Sequence, residues 1–311
     1  MILQQLVARF VTVPLVGIDL GSAALKVVEV TRAGGQIILR RAVVAAVHGE
    51  DPAGVLKRVL REAKLRSPQA ALGLAAPGVI VKPFEVPSMP RNELRSALRL
   101  EAEHTILNGH PISQMAIDWH VRPSLAQTSI RGILAVVPTA TLNARLHVAA
   151  AAGVRPTVVD VEGLALWNAY WTLIGVHEAA PKTVLLMNIG ARTTNLVIAK
   201  SPNELLLIRD LQLGAEALLE KSRQSDWVTE VQDSIGYARS QAGLRALDAA
   251  YVTGGGSSPA LLPLLTAAVP APASFWNPLQ QLGRDAESPS VEESSGPLLA
   301  VAIGLALRQP T

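Results

Sequence analysis

The chain has 311 residues, a length typical of about two ordinary domains. Hydrophobic residues make up 49% of it and charged residues only 17%, so a large core can form and global disorder is excluded. It contains no cysteine, which excludes a disulfide scaffold and a thiolate-ligated metal site, and its formal net charge of +3 is too small for a protein that clamps nucleic acid.

Strands and helices are predicted to alternate along the chain, which favours an α/β fold. In chain order, the predicted elements are a strand hairpin at 15–30, a strand at 37–47, a helix at 51–64, a strand at 70–75, a helix at 91–104, strands at 115–121 and 130–136 that can pair, a helix at 141–152, a strand at 157–161, a helix at 163–173, a second hairpin at 185–199, a strand at 205–211, helices within 215–242, a strand at 249–253 and a closing helix at 297–308. Trp167, Tyr170 and Trp171 have helical spacing, which predicts core packing, with an aromatic partner surface as the alternative.

Membrane insertion and secretion are not predicted. The longest uncharged stretch, 249–283, contains five prolines, which would break a helix exposed to lipid. The N-terminal residues lack the positive start and small-residue cleavage site of a signal peptide. We therefore expect a soluble intracellular protein.

Two segments about half a chain apart share one layout. Residues 15–30 and 185–199 each contain an apolar strand, an Asp-x-Gly or Asn-x-Gly turn with small and polar residues, and a second strand rich in β-branched residues. Such self-similarity at this separation predicts a duplicated domain.

The first of these turns is a candidate phosphate site. A tight glycine turn leaves backbone N–H groups pointing one way, and small residues let an anion approach them. Ser22 would donate hydrogen bonds, Lys26 would place charge on a phosphate, and Asp19 would hold Mg²⁺ through water. The residues assigned to this turn are Asp19, Gly21, Ser22, Ala23 and Lys26. An ordinary hairpin is the alternative for one copy of the pattern.

The second turn and a later glycine run extend the candidate nucleotide site. A nucleotide held between duplicated domains needs one turn from each, and glycines directly after a strand permit close approach to a purine or a pyrophosphate. A flexible turn is the alternative for the glycine run. The residues assigned here are Asn188, Gly190, Thr193, Thr194, Asn195, Gly254, Gly255, Gly256 and Ser257.

The order of these motifs resembles the actin-like ATPase superfamily. Asp-x-Gly-Ser is followed by Asn-x-Gly-x-x-Thr, then Gly-Gly-Gly, then a C-terminal helix rich in alanine and glycine. Within the superfamily, stretches outside the loops resemble the type IV pilus assembly family PilM; these stretches are 86–103, 116–120, 152–166, 209–214 and 299–308.

This resemblance implies a fold, a cofactor and a partner. The fold would be α/β and actin-like (ribonuclease H-like), with duplicated domains around a nucleotide cleft and an FtsA-type extra subdomain. The first domain would comprise 1–78 and 157–180, the inserted subdomain 79–156, and the second domain 181–311. The cofactors would be ATP and Mg²⁺. The partner would be the N-terminal cytoplasmic peptide of a PilN-like bitopic membrane protein, with other pilus machine components and no nucleic acid, and the chain would lie on the cytoplasmic face of the inner membrane with only indirect membrane contact.

Three departures from the family pattern bear on activity. Asn188 stands where the family usually has aspartate, so a negative charge that helps to position Mg²⁺ is lost. The stretch around 215–250 is short, which predicts a reduced upper subdomain and leaves adenosine binding open. No residue is identified as a general base, so the catalytic residue is unknown. The leading hypothesis is therefore an assembly scaffold with weak or absent ATPase activity.

Two other functions remain open at this stage. An active ATPase or sugar-kinase relative would need complete Mg²⁺ coordination and an acidic base. A membrane-tethered filament protein resembling FtsA would need a terminal amphipathic helix, and a secretion protein of the GspL type would need a transmembrane helix; neither feature is predicted here.

Overall fold

A computed structural model of the chain describes residues 15–47, 49–65, 69–105, 111–122, 128–200, 204–288 and 290–308. Its strands are β1 (Val16–Leu20), β2 (Ala24–Ala33), β3 (Gln36–Ala46), β4 (Ala70–Leu74), β5 (Ile80–Pro87), β6 (Met115–Val121), β7 (Ser129–Pro138), β8 (Pro156–Val161), β9 (Thr183–Ile189), β10 (Thr194–Lys200), β11 (Glu204–Leu211), β12 (Ala249–Thr253) and β13 (Ala273–Phe275). Its helices are α1 (Pro52–Glu62), α2 (Arg91–Thr105), α3 (Thr139–Ala151), α4 (Glu162–Leu173), α5 (Lys221–Gln241), α6 (Leu262–Ala268) and α7 (Ala300–Ala306). Most predicted elements are confirmed, while β5, α6 and β13 were not predicted.

Two five-stranded sheets repeat one topology. The first has the order β3-β2-β1-β4-β8 and the second the order β11-β10-β9-β12-β13. In the first sheet, β2 pairs antiparallel with β1, and β4 runs parallel to β1. In the second sheet, β10 pairs antiparallel with β9, and β12 runs parallel to β9. The predicted duplication and the actin-like α/β fold are therefore confirmed.

One hydrophobic core joins the two sheets through α4 and α7. It contains Leu166 and Tyr170 of α4, together with Val28 of the first sheet and Leu186 of the second. The helices come close because Gly304 of α7 has no side chain: a Cβ there would lie 1.9 Å from the backbone carbonyl oxygen of Ala165. This close crossing holds α4 between the two halves of the molecule, with its N-terminus at their junction.

A third sheet, with the order β5-β7-β6, forms the inserted unit. Its strands are antiparallel, and the predicted pairing of β6 with β7 is confirmed. Helix α2 covers it, since Leu94 and Leu98 pack against Phe84 and Leu134. Strand β5 also lies next to β11 of the second sheet, so the inserted unit contacts both halves.

Two helices contact elements outside the domain to which the sequence analysis assigns them. Helix α3, assigned to the inserted subdomain at 79–156, packs against α1 and contributes Ala149 to the core of the first sheet. Helix α7, assigned to the second domain at 181–311, packs on β1, β2 and β4 of the first sheet. Helix α3 also contacts β6 and β7 of the third sheet, so both helices join neighbouring units, and the domain limits remain a prediction.

Across the residues with described positions, we find no helix with the length and apolar character needed to cross a membrane.

Candidate functional site

The first loop joins β1 to β2 and is closed by an ion pair. Asp19 and Lys26 face each other across the two strands, with 3.1 Å between the Lys26 Nζ and the Asp19 Oδ2. Asp19 is only 4% exposed, so the lysine offsets the cost of burying its carboxylate. A Cβ on Gly21 would lie 2.7 Å from the backbone carbonyl oxygen of Ala24, which cannot move aside as a side chain can, so the turn requires glycine. Ser22 and Ala23 are exposed at its tip.

The second loop joins β9 to β10 and is built around a buried threonine. The Gly190 N–H donates to the Thr193 carbonyl oxygen (2.8 Å), which closes the turn. The Thr194 hydroxyl donates to the Leu213 carbonyl oxygen (2.7 Å) and accepts from the Trp227 indole N–H (3.2 Å). This hydroxyl therefore holds the loop against the second sheet. Gly190 and Thr193 are half-buried, and Arg192 between them is exposed.

A row of three polar side chains crosses the strands behind this loop. Asn188 of β9, Asn195 of β10 and Asp210 of β11 are neighbours in register. The Asn188 Nδ2 donates to the Asn195 Oδ1 (2.7 Å), and the Asn195 Nδ2 donates to the Asp210 Oδ1 (2.8 Å). The carboxylate of this row thus lies on β11, two strands from the position where the family pattern expects it.

The glycine run after β12 packs against the end of β9. Gly254 has a φ of +95°, and a Cβ there would lie 2.4 Å from the Ile189 carbonyl oxygen. The Gly256 N–H donates to that same carbonyl oxygen (2.8 Å), and the Ser257 hydroxyl donates to the Gly254 carbonyl oxygen (2.7 Å). Gly255 is the exposed member of the run. Close packing of the chain on itself explains Gly254 and Gly256, and their contact with a nucleotide stays a prediction.

Glu162, at the start of α4, links the two halves electrostatically. Burial, followed by the charges of Asp19 and Asp210, raises the pKa of this carboxyl from 4.5 to about 8, against the opposing effect of Arg145 and Lys26. Asp19 belongs to the first half of the molecule and Asp210 to the second. Both halves therefore bring a carboxylate to the same buried acid, as expected for a cleft between duplicated domains.

Sequence reasoning missed Glu162 and Arg145 as members of this cluster. Glu162 is 8% exposed, and the signal that would have indicated it is an acid within an apolar strand-to-helix junction. Arg145 carries no such signal: it lies on α3 and donates to the Leu20 carbonyl oxygen (2.6 Å), a contact between residues 125 positions apart. It supports the first loop from outside the first sheet.

The acidic groups suit a hydrated cation better than a directly bound one. Within the described ranges, no three His, Cys, Asp or Glu side chains lie close enough to hold a metal ion between them. Mg²⁺ at nucleotide sites usually keeps several waters and uses one or two carboxylates. The Glu162 carboxyl accepts no hydrogen bond from the residues that the structure describes, and its oxygens are not among the side-chain atoms that are fully buried without a partner, so water or a hydrated cation can reach this acceptor. These observations fit Mg²⁺ with a nucleotide.

Two depressions lie near this cluster and along α4. The first, of about 220 Å³, is apolar and lies beneath the first loop, lined in part by Gly21 and Arg145. The second, also of about 220 Å³, is lined by Trp167, Tyr170 and Trp171. Tyr170 is buried, as the core prediction requires, whereas the two tryptophans are only half-buried. The aromatic residues of α4 therefore form core and surface together.

Comparisons with known proteins agree with this architecture. The family model described as "Type IV pilus assembly protein PilM" matches residues 17–225. The chain is similar to the solved structure of the PilM-PilN type IV pilus biogenesis complex, with 26% identity, a TM-score of 0.80, and coverage of 95% of this chain and 98% of that one. It is also similar to the ethanolamine utilization protein EutJ from Carboxydothermus hydrogenoformans (15% identity, TM-score 0.46, coverage 96% and 90%). The cytoplasmic domain of EpsL from the type II secretion system of Vibrio cholerae matches with 16% identity, a TM-score of 0.46 and coverage of 94% of each chain.

Proposed function

The chain belongs to the PilM family of type IV pilus assembly proteins, and on that premise we propose that it is an assembly scaffold that binds a PilN-like membrane protein. One observation carries this proposal: the fold is shared with the PilM-PilN complex over nearly the full length of both chains, at a TM-score of 0.80. The match covers 95% of this chain and 98% of that one, so it includes both halves and the inserted unit.

The segment recognised would be the short N-terminal cytoplasmic peptide of the partner. Binding it would place the chain on the cytoplasmic face of the inner membrane, with the partner supplying the membrane contact. Other components of the pilus machine would then reach the membrane protein through this chain. The formal net charge of +3 supports a protein partner rather than nucleic acid.

The cleft between the halves would bind ATP with Mg²⁺ as part of the scaffold. From the first half, Asp19, Ser22 and Lys26 would bind the nucleotide and its cation. From the second half, Gly190 and Thr193 would bind the nucleotide. When bound, Mg²⁺ neutralises phosphate charge and fixes the orientation of the phosphates. Asn188 contributes an amide but no negative charge, which supports a site that binds nucleotide with weak or absent hydrolysis.

A second function, an active ATPase, is favoured by Glu162. This acid is buried at the junction of the halves, and its pKa of about 8 is in the range of groups that transfer protons near neutral pH. Robust Mg²⁺-dependent phosphate release, lost in both Asp19→Ala and Glu162→Gln, would support the ATPase over the scaffold. Phosphate release no greater than that of the two variants would leave the scaffold as the function.

A peptide titration tests the scaffold proposal. The purified protein is titrated against a fluorescent peptide covering the cytoplasmic N-terminus of PilN from the same genome, with and without Mg²⁺ and ATP. A peptide of the same composition in permuted order is the control. We expect saturable binding of the native order alone. No binding in either condition would rule out the proposed partner.

A further inference from the structure

The two halves carry equivalent rows of residues with different charge placement. In the first half, Asp19 of β1 pairs with Lys26 of β2, which pairs with Val44 of β3. The duplicated row in the second half is Asn188, Asn195 and Asp210. Each row contains one acid, but the acid is on the first strand in one half and on the third strand in the other.

The hydrogen bonds of the second row have a fixed direction. The Asp210 carboxylate can only accept, so Asn195 must turn its Nδ2 toward it and its Oδ1 toward Asn188. Asn188 must then donate, as an amide can and an aspartate cannot. An aspartate at position 188 would compete with Asp210 for the one amide between them. Asn188 therefore has the hydrogen-bond donor that an acid at position 210 on β11 requires at the other end of the row.

A separate observation indicates that this row faces a ligand. Glu162 is more than nine-tenths buried and accepts no hydrogen bond from the described residues. The next residue, Gly163, packs on β11 two residues before Asp210, since a Cβ there would lie 2.7 Å from the Ile208 Cγ2. The charges of Asp19 and Asp210 both raise the pKa of Glu162. An acid this little exposed, whose carboxyl keeps contact with solvent and bonds to no described residue, is stabilised when a cation or its water shell binds beside it.

We propose that Asp210, oriented by Asn195, is the group by which the second half engages the hydrated Mg²⁺ of a bound nucleoside triphosphate, in place of an acid at position 188. The inference rests on the proposed nucleotide cleft and adds to it a second-half residue from β11. Asp210 supplies negative charge toward the water shell of the cation opposite Asp19, and Asn195 is a positioning residue.

The melting temperatures of four proteins, measured without nucleotide, test the hydrogen-bond direction along the row Asn188, Asn195 and Asp210. These are the wild type, Asn188→Asp, Asp210→Asn and the double variant that exchanges the two residues. Asn188→Asp should lower the melting temperature because two carboxylates then face one amide. Asp210→Asn and the double variant should stay near the wild type, since each leaves every amide paired. An Asn188→Asp protein as stable as the wild type would overturn the argument from hydrogen-bond direction.

Binding of a fluorescent ATP analogue, with Mg²⁺ and with EDTA, tests the role of Asp210. Asp210→Asn should weaken binding with Mg²⁺ by about tenfold or more and leave binding in EDTA unchanged. The double variant should recover binding with Mg²⁺, because the acid returns to β9. Glu287→Gln, which removes an exposed carboxylate, controls for net charge.

Three results would overturn the inference: equal binding by the wild type and Asp210→Asn, an equal loss with Mg²⁺ and with EDTA, or no recovery in the double variant. A wild type that binds no nucleotide would also overturn it. The peptide titration measures partner binding separately. If Asp210 has no role in nucleotide binding, the peptide still binds; if the scaffold proposal is wrong, the peptide does not bind, whatever the nucleotide result.

Discussion

An ion pair between Asp160 and Arg308 connects the edge of the first sheet to the segment just after α7. Arg308 donates from Nε and Nη2 to the two carboxylate oxygens of Asp160, at 2.5 and 2.7 Å. Asp160 lies on β8, two residues before Glu162, and is 5% exposed. The pair therefore anchors the last helix beside the strand that leads into the cleft.

Breaking this pair should destabilise the fold. Arg308→Gln leaves the buried carboxylate of Asp160 without its charged partner, and since the arginine side chain is 38% exposed we expect a loss of about 1–3 kcal/mol in the free energy of unfolding. Urea denaturation measures it. Arg58→Gln, which breaks an exposed pair with Glu50, should change little. Equal effects of the two variants would contradict the anchoring role.

Because α7 lies so close to α4, one methyl group added at position 304 should lower the stability of the fold strongly. Gly304→Ala places a Cβ against the backbone of Ala165, where no side chain can move aside, so we expect a loss of about 1–3 kcal/mol or more. Gly236→Ala is the matched control: it lies in α5 with no atom within 4 Å of the added Cβ, and should stabilise by about 0.5–1 kcal/mol. Thermal unfolding of both variants checks the pair, and a neutral Gly304→Ala would contradict the helix crossing.

The hairpin turns were predictable because their geometry is local. Asp19 and Lys26 are seven positions apart and pair across one turn, so spacing alone brings them together. The same holds for Asn188 and Asn195. Long-range contacts leave no such pattern, which is why Arg145 was not identified and why the match between Asn188 and Asp210 appeared only in the structure.

Strand β5 was missed for a different physical reason. It contains Pro83 and ends with Pro87, and proline cannot donate to a strand ladder. The strand forms nonetheless because it lies at the edge of the third sheet, with β7 as its one hydrogen-bonded neighbour. Pro297 affects the closing helix, which was predicted to begin at this residue. The segment Glu293–Leu299 forms a 3₁₀ helix, and the α-helix α7 begins only after it.

Glu162 should make stability depend on pH. Its pKa is about 8 in the folded protein and near 4.5 when unfolded, so folding takes up a proton between these values. The stabilising contribution is complete below pH 4.5 and is lost as pH rises toward 8. Glu162→Gln lacks this titration, so its free energy of unfolding should rise relative to the wild type from pH 5 to pH 8. Denaturation at several pH values measures the difference.

The control for this experiment is Glu103→Gln, which removes an exposed carboxylate from α2. It should leave the pH dependence of the wild type intact. If Glu162→Gln and the wild type lose stability in parallel as pH rises, Glu162 is not the buried acid that the structure indicates.

The hydroxyl group of Thr194 should contribute more to the free energy of unfolding than the volume of the side chain does. Thr194→Val keeps the shape but leaves the Trp227 indole N–H without an acceptor and the Leu213 carbonyl oxygen without a donor, both next to the second loop. Leaving buried polar groups unpaired costs about 1–3 kcal/mol, so the free energy of unfolding should fall by that amount, while Thr194→Ser should retain most of it. Thr266→Val, which removes a hydroxyl bonded within an exposed helix, is the control and should change stability little. Tryptophan fluorescence in chemical denaturation measures the unfolding transition, and a valine variant as stable as the serine variant would show that the hydroxyl does not hold the loop.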